Sequence, residues 1–69
     1  MDTIGTRAAK AIMRRVKYGS TRPEMERMNI CYTNIYQWAN GKRNPSAHHL
    51  RKMALEGYDV IYILTGKEG

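Results

Sequence analysis

Between Cys31 and Gly41 the chain sets Tyr32, Thr33, Asn34, Tyr36 and Gln37 in close succession, without one formal charge among them. A solvent-facing helix ordinarily displays Lys and Glu. Hydroxyls and amides both donate and accept hydrogen bonds, and on a helix surface they can pair with base edges in a major groove. Other chemistries find less to work with. There is no Ser–His–acid arrangement, no phosphate-cradling Gly loop and no paired carboxylates, so no enzyme is expected. His48 and His49 are adjacent at a helix start and diverge, and no second Cys or His lies at zinc spacing, so neither a metal nor a cofactor is expected. Cys31 reads as a small groove-facing or half-buried residue, with a redox role the weaker alternative.

The charge balance agrees with a polyanionic partner. The 69 residues carry a formal charge of +6, and its placement is one-sided. Residues 1–43 hold nine Lys/Arg and three acids, whereas the Lys/Arg and acids of residues 44–69 balance. A basic field on one half attracts a polyanion and releases its counterions on binding. The competing explanation is a solvated basic face that aids solubility. A single Cys excludes an internal disulfide and suits a reducing cytosol. No apolar run approaches the roughly 20 residues of a membrane span, and no signal peptide is visible. A cytoplasmic protein of one domain and one small core is therefore expected.

The elements that must position the polar row follow from spacing. Asp2 or Thr3 can cap a first helix to about Lys17, with Ile4, Ala8, Ile12 and Val16 as its buried stripe, aided by Ala9 or Met13. Tyr18-Gly19-Ser20 breaks it. Ser20 or Thr21 starts a second helix with Pro23 in its first turn, and Glu24 completes a capping box with Thr21. Met25 and Met28 share one face, Asn29 suits a left-handed turn, and Ile30 follows as an apolar plug. Ile35 and Trp38 then face inward from a helix begun at Cys31 and stopped by Asn40-Gly41. Ser46 caps a fourth helix carrying Leu50, Met53, Ala54 and Leu55 and ending at Gly57. Asp59 caps a last one, Val60 to Thr65, closed by Gly66, although the apolar run 58–66 also fits a strand. The expected fold is all-α, five short helices around one core.

The break at Asn29-Ile30, the inward Ile35 and Trp38, and the exit Asn40-Gly41-Lys42-Arg43-Asn44-Pro45-Ser46 resemble the helix-turn-helix domains of phage repressor and Cro type, the Xre-like class. That exit is similar to the class's W-x-x-G-x-x-x-P-S ending, and the final Y-I-L-T-G is similar to the close of many such phage regulators, which favours helix over strand. The resemblance covers the chain from its first helix to Gly66, with a helix-turn-helix at about 21–41 and a C-terminal apolar helix at 59–66. It implies a recognition helix in the major groove of double-stranded DNA, read by its N-terminal part. By position, Tyr32, Thr33 and Gln37 become base readers, flanked by Asn34 and Tyr36. Gln37 can pair with adenine, and the Thr33 methyl can meet thymine. Arg22, Asn40, Lys42 and Arg43, at the motif's two edges, can hold phosphates, with Arg14 and Lys17 as lesser candidates. Thr21 stands where the class commonly has a Gln that braces a phosphate contact. Glu24 and Met25 stand where it has Leu-Ala, so either Glu24 faces outward or the second helix is set about one residue differently. Trp38 reads as core.

Proteins of this kind commonly bind pseudo-palindromes as twofold dimers. Tyr58, Val60, Ile61, Tyr62, Ile63 and Leu64 either form such an interface or complete the monomer core. With the chain ending at Gly69, no effector or self-cleavage domain and no small-molecule effector are expected. The implied function is a Cro-like phage or prophage repressor. The alternatives are an antitoxin that binds a protein toxin and its own promoter, and an adaptor that has lost DNA binding.

Overall fold

Two threonines begin the first helix. The Thr6 N–H donates to Thr3 Oγ1 (3.0 Å) while the Thr3 N–H donates back to Thr6 Oγ1 (2.7 Å), so both otherwise unpaired amides are satisfied. The computed structural model describes residues 2–16 and 20–67. Its helices are α1 (Ile4–Val16), α2 (Thr21–Arg27), α3 (Asn34–Ala39), α4 (Ala47–Leu55) and α5 (Val60–Thr65), with no strand among the described residues. The expected break at Tyr18-Gly19, and Lys17 before it, lie outside those residues. Ser20, not Thr21, caps α2, its Oγ accepting from the Arg22 N–H at 3.1 Å.

The stops of α2, α3 and α4 are one device used three times. After α2, the Ile30 N–H reaches back to the Met25 carbonyl (3.0 Å) and the Asn29 N–H to that of Glu26 (2.9 Å). The same paired bonds run from Lys42 and Gly41 to Gln37 and Trp38, and from Tyr58 and Gly57 to Met53 and Ala54. This pairing needs a left-handed residue at its centre. Asn29 (φ 58°), Gly41 (φ 77°) and Gly57 (φ 90°) fill that place. The Lys52 ammonium donates to the Asn29 carbonyl (2.8 Å) and so ties the first of these turns to α4.

α1 is the hub, packing against α2, α3 and α5, while α4 packs against α5. Its Ala8, Ala9 and Ile12 join Met25, Met28, Ile30, Ile35, Trp38, Met53 and Ile63 in the buried core. Arg7 closes the far end. Its Nε donates to the Ile63 carbonyl (2.8 Å) and its Nη2 to that of Leu64 (3.2 Å), satisfying acceptors that the end of α5 leaves open. Its Nη1 also pairs with Asp2 at 3.0 Å.

Several expectations need correction. Glu24 does not complete a capping box with Thr21, nor does it face outward into solvent. Its side chain, 10% exposed, lies 2.8 Å from Arg27 and 3.7 Å from Arg15 and accepts from the Tyr58 hydroxyl at 2.6 Å, while Arg27 pairs onward with Glu56. Burial alone would raise the Glu24 carboxyl's pKa, but the Tyr58 and Arg27 hydrogen bonds and the two guanidinium charges outweigh it and hold it low. Burial, then the carboxylate itself, pushes the Tyr58 phenol up to about 12. Met25 does take its core place, so α2 keeps the expected register. Leu55 is 71% exposed and Ala54 is also exposed, because only Met53 of α4 is fully buried. Met13 likewise faces outward, and Ala9 takes the place beside the α1 stripe.

Candidate nucleic-acid interface

The chain enters α3 through a tight turn rather than a longer helix. Asn34, Ile35 and Tyr36 donate to the carbonyls of Cys31, Tyr32 and Thr33 at 3.1 to 3.3 Å, each three residues back. That is 3₁₀-type bonding, common at helix starts. The helix expected from Cys31 therefore begins at Asn34, and Cys31, Tyr32 and Thr33 precede it. Six residues suffice to bury Ile35 and Trp38 on one side. Tyr36, 63% exposed, and Gln37 then stand on the outer side, as the spacing requires.

The other candidate base readers are less uniform. Thr33 is exposed, and its hydroxyl lies 3.1 Å from the Cys31 Sγ. This hydrogen bond favours the thiolate and lowers the thiol pKa below its ordinary value, and Cys31 is exposed rather than half-buried. Asn34 is half-buried at the head of α3. Tyr32 is half-buried against the core, and the Arg22 guanidinium carbon sits 4.2 Å over its ring centre.

The candidate phosphate-holding groups lie at both edges of α3. Arg22 projects from the first turn of α2 and pairs with Glu26 at 3.6 Å, one helical turn on. Thr21 beside it is half-buried. At the other edge the Gln37 carbonyl accepts from the Lys42 and Arg43 amides, 3.0 and 3.2 Å, which places both exposed cations against the end of α3. Asn40 spends its Oδ1 on the Lys42 N–H (3.0 Å), leaving its NH₂ to donate outward. Arg14, on α1, lines a groove with Lys10, Met13 and Ala39, the last residue of α3. The structure thus brings Arg22 to Tyr32, and Lys42 with Arg43 to the Gln37 end.

Behind α3, His49 completes the Ser46 cap of α4. The Ser46 N–H donates to His49 Nδ1 (3.3 Å), the His49 N–H donates to Ser46 Oγ (3.3 Å), and the imidazole meets the Trp38 ring edge-on at 5.5 Å. Burial first, then the charges of His48 and Lys52, lowers its pKa below the ordinary 6.5. The unfolded chain therefore takes up this proton at a higher pH than the folded one. Its contribution is full above about pH 6.5 and is lost as pH falls below that value toward the lower folded pKa. Urea denaturation should show lower stability at pH 5.5 than at 7.5, and His49→Gln should shrink that difference; an unchanged difference would clear His49.

Three features had no place in the sequence reading. Glu26 as the partner of Arg22 was readable from the i, i+4 spacing. The groove lined by Lys10 and the close seat of Gly5 against the 43–44 segment depend on distant residues and had no local sign.

Less of the apolar run 58–64 is exposed than the expected dimer surface requires. Ile63 is fully buried in the core and cannot face a second chain, because it lies on the inner face of α5. The half-buried Tyr58 is engaged by Glu24 and stacked under Arg15, 4.3 Å from its ring centre. Val60 and Tyr62 are half-buried against the core. Ile61 and Leu64, 60% and 45% exposed, remain on the outer face of α5. Among the described residues no helix is long and apolar enough to cross a membrane, and no three His, Cys, Asp or Glu side chains are grouped as metal ligands. Comparison with protein families, curated proteins and solved structures found no match to this chain.

Proposed function

We propose that this chain is a sequence-specific DNA-binding regulator of transcription, a Cro-like repressor that lays α3 in the major groove of an operator. One observation carries this: a short helix, α3, turns an uncharged polar face of Tyr36 and Gln37 outward, led by Thr33, between cationic edges formed by Arg22 and by Lys42–Arg43. Base edges are read by such neutral donor–acceptor groups, while phosphates are held by the flanking cations. The tight α2–α3 connection, with Asn29 at positive φ, supports the helix-turn-helix docking geometry. Two copies joining through the outer face of α5, where Ile61 and Leu64 stand exposed, would place two such helices on a pseudo-palindrome.

Selection from a pool of random duplexes at two salt concentrations tests this. An enriched inverted repeat, with affinity falling steeply as salt rises, is the expected result. Gln37→Ala should then relax one base pair per half-site at a cost of about 1–3 kcal/mol. Retention without any enriched sequence would remove the base-reading role and leave only phosphate binding.

A further inference from the structure

The Arg22–Tyr32 pair is organised more closely than an exposed cation needs. The guanidinium carbon lies 4.2 Å from the centre of a ring that is itself packed on the core and held in the turn before α3, the Tyr32 carbonyl accepting from the Ile35 N–H at 3.2 Å. Stacking uses the face of the guanidinium and leaves the in-plane N–H groups free. Of these, the Nε edge is directed at Glu26, 3.6 Å away. The two terminal nitrogens are in no ion pair among the described residues. A phosphate takes that remaining edge in a two-pronged hydrogen-bonded geometry.

We infer that Tyr32 is a positioning residue rather than a reader of bases: its ring holds the Arg22 guanidinium in place for a DNA phosphate, and Glu26 holds the same arginine when no phosphate is present. This rests on the DNA-binding reading above and assigns the division of labour within that site. A long, flexible arginine loses rotamer freedom when it grips a phosphate, and a rigid platform removes part of that loss in advance. Tyr32 also bridges the turn and the start of α2, so the platform sets the spacing between a phosphate and the outer face of α3. Glu26 acts in the opposite sense, since its carboxylate competes with the phosphate for one guanidinium.

The test uses the duplex enriched by selection and variants Tyr32→Phe, Tyr32→Leu, Arg22→Gln, Tyr32→Leu with Arg22→Gln, and Glu26→Gln. Tyr32→Phe keeps the ring and should retain both affinity and sequence preference. Tyr32→Leu should weaken binding to all sequences alike by about two- to five-fold. Arg22→Gln should also lower the slope of log affinity against log salt by about one. The double variant should bind no worse than Arg22→Gln alone, and Glu26→Gln should bind more tightly than the parent. In the free protein, the Arg22 δ-methylene protons should show an upfield ring-current shift in nuclear magnetic resonance spectra, kept in Tyr32→Phe and lost in Tyr32→Leu. Loss of preference at one base pair in Tyr32→Phe would overturn the inference and make the hydroxyl a reader. Multiplying effects of Tyr32→Leu and Arg22→Gln, or no ring-current shift, would overturn it while leaving DNA binding intact. If the parent retains no duplex even at low salt, the DNA-binding reading falls and the inference falls with it.

Discussion

Trp38→Ala should remove a large part of the folding stability, about 3–5 kcal/mol. Trp38 is the largest fully buried side chain, 1% exposed, wedged between α1 and the imidazole of His49. Truncating a buried tryptophan costs about 3–5 kcal/mol, from lost transfer energy and the cavity left behind. A domain of this size has on the order of 3–10 kcal/mol in total at typical per-residue stabilities. The loss should be worst for α3, whose six residues hold only Ile35 and Trp38 against the core and are too few to stay helical alone. Thermal unfolding followed by circular dichroism should show a melt lowered by more than about 10 °C, and no cooperative melt if the parent lies at the low end of that stability range. A melt within a few degrees of the parent would mean that Trp38 is not the keystone of the core.

Among the glycines of the described residues, Gly5 should tolerate an added methyl group least. A Cβ at Gly5 would collide with the Arg43 backbone carbonyl and come within 3.1 Å of the Trp38 Cα and carbonyl oxygen. None of these atoms is the end of a flexible side chain, so relief requires the helix or the 41–45 segment to move. That movement would also stretch the 2.9 Å bond from the Gly5 N–H to Asn44 Oδ1. In an isolated helix the same change would be stabilising by roughly 1 kcal/mol, so its sign separates local propensity from packing. Overpacking of this kind costs about 1–3 kcal/mol, and each lost kcal/mol lowers the melting temperature by about 4–8 °C in a domain this small. Unchanged or raised thermal stability would refute the close seat. Because the displaced 41–45 segment carries Arg43 just beyond α3, the proposed DNA affinity should fall along with stability.

The contrast between Gly5 and Asn29 shows what the amino-acid order makes legible. Asn29, Gly41 and Gly66 declare helix ends through their own backbone preferences, and Ser46 and Asp59 declare starts through their side chains. Those effects act within a turn or so of the residue itself. Ile35 and Trp38 were equally readable, since spacing alone puts them on one face. Gly5 answers to residues about forty positions away, and nothing beside it in the chain reports that. Glu24 misled for the same reason, since Tyr58 is 34 residues distant. Ile63 misled differently. In an apolar run as dense as 60–64, periodicity cannot say which side faces inward; only the seat of α5 on α1 settles it. Within the candidate site, the outer face of α3 was legible and the stack of Arg22 on Tyr32 was not. That stack depends on how the α2–α3 turn folds back, which no spacing rule supplies.

The Arg7 contact with the carbonyls of Ile63 and Leu64 has a consequence for synthesis in the cell. An arginine near the start of the chain is completed by backbone made 56 residues later, and Ile63 brings a core wall with it. A nascent chain emerging from the ribosome can form α1, and later the α2–α3 pair, but its core stays open on one side until α5 has cleared the exit tunnel. The fold should therefore close only once α5 has been made and has cleared the tunnel. Until then the apolar stripe of α1 is exposed to any chaperone or protease nearby.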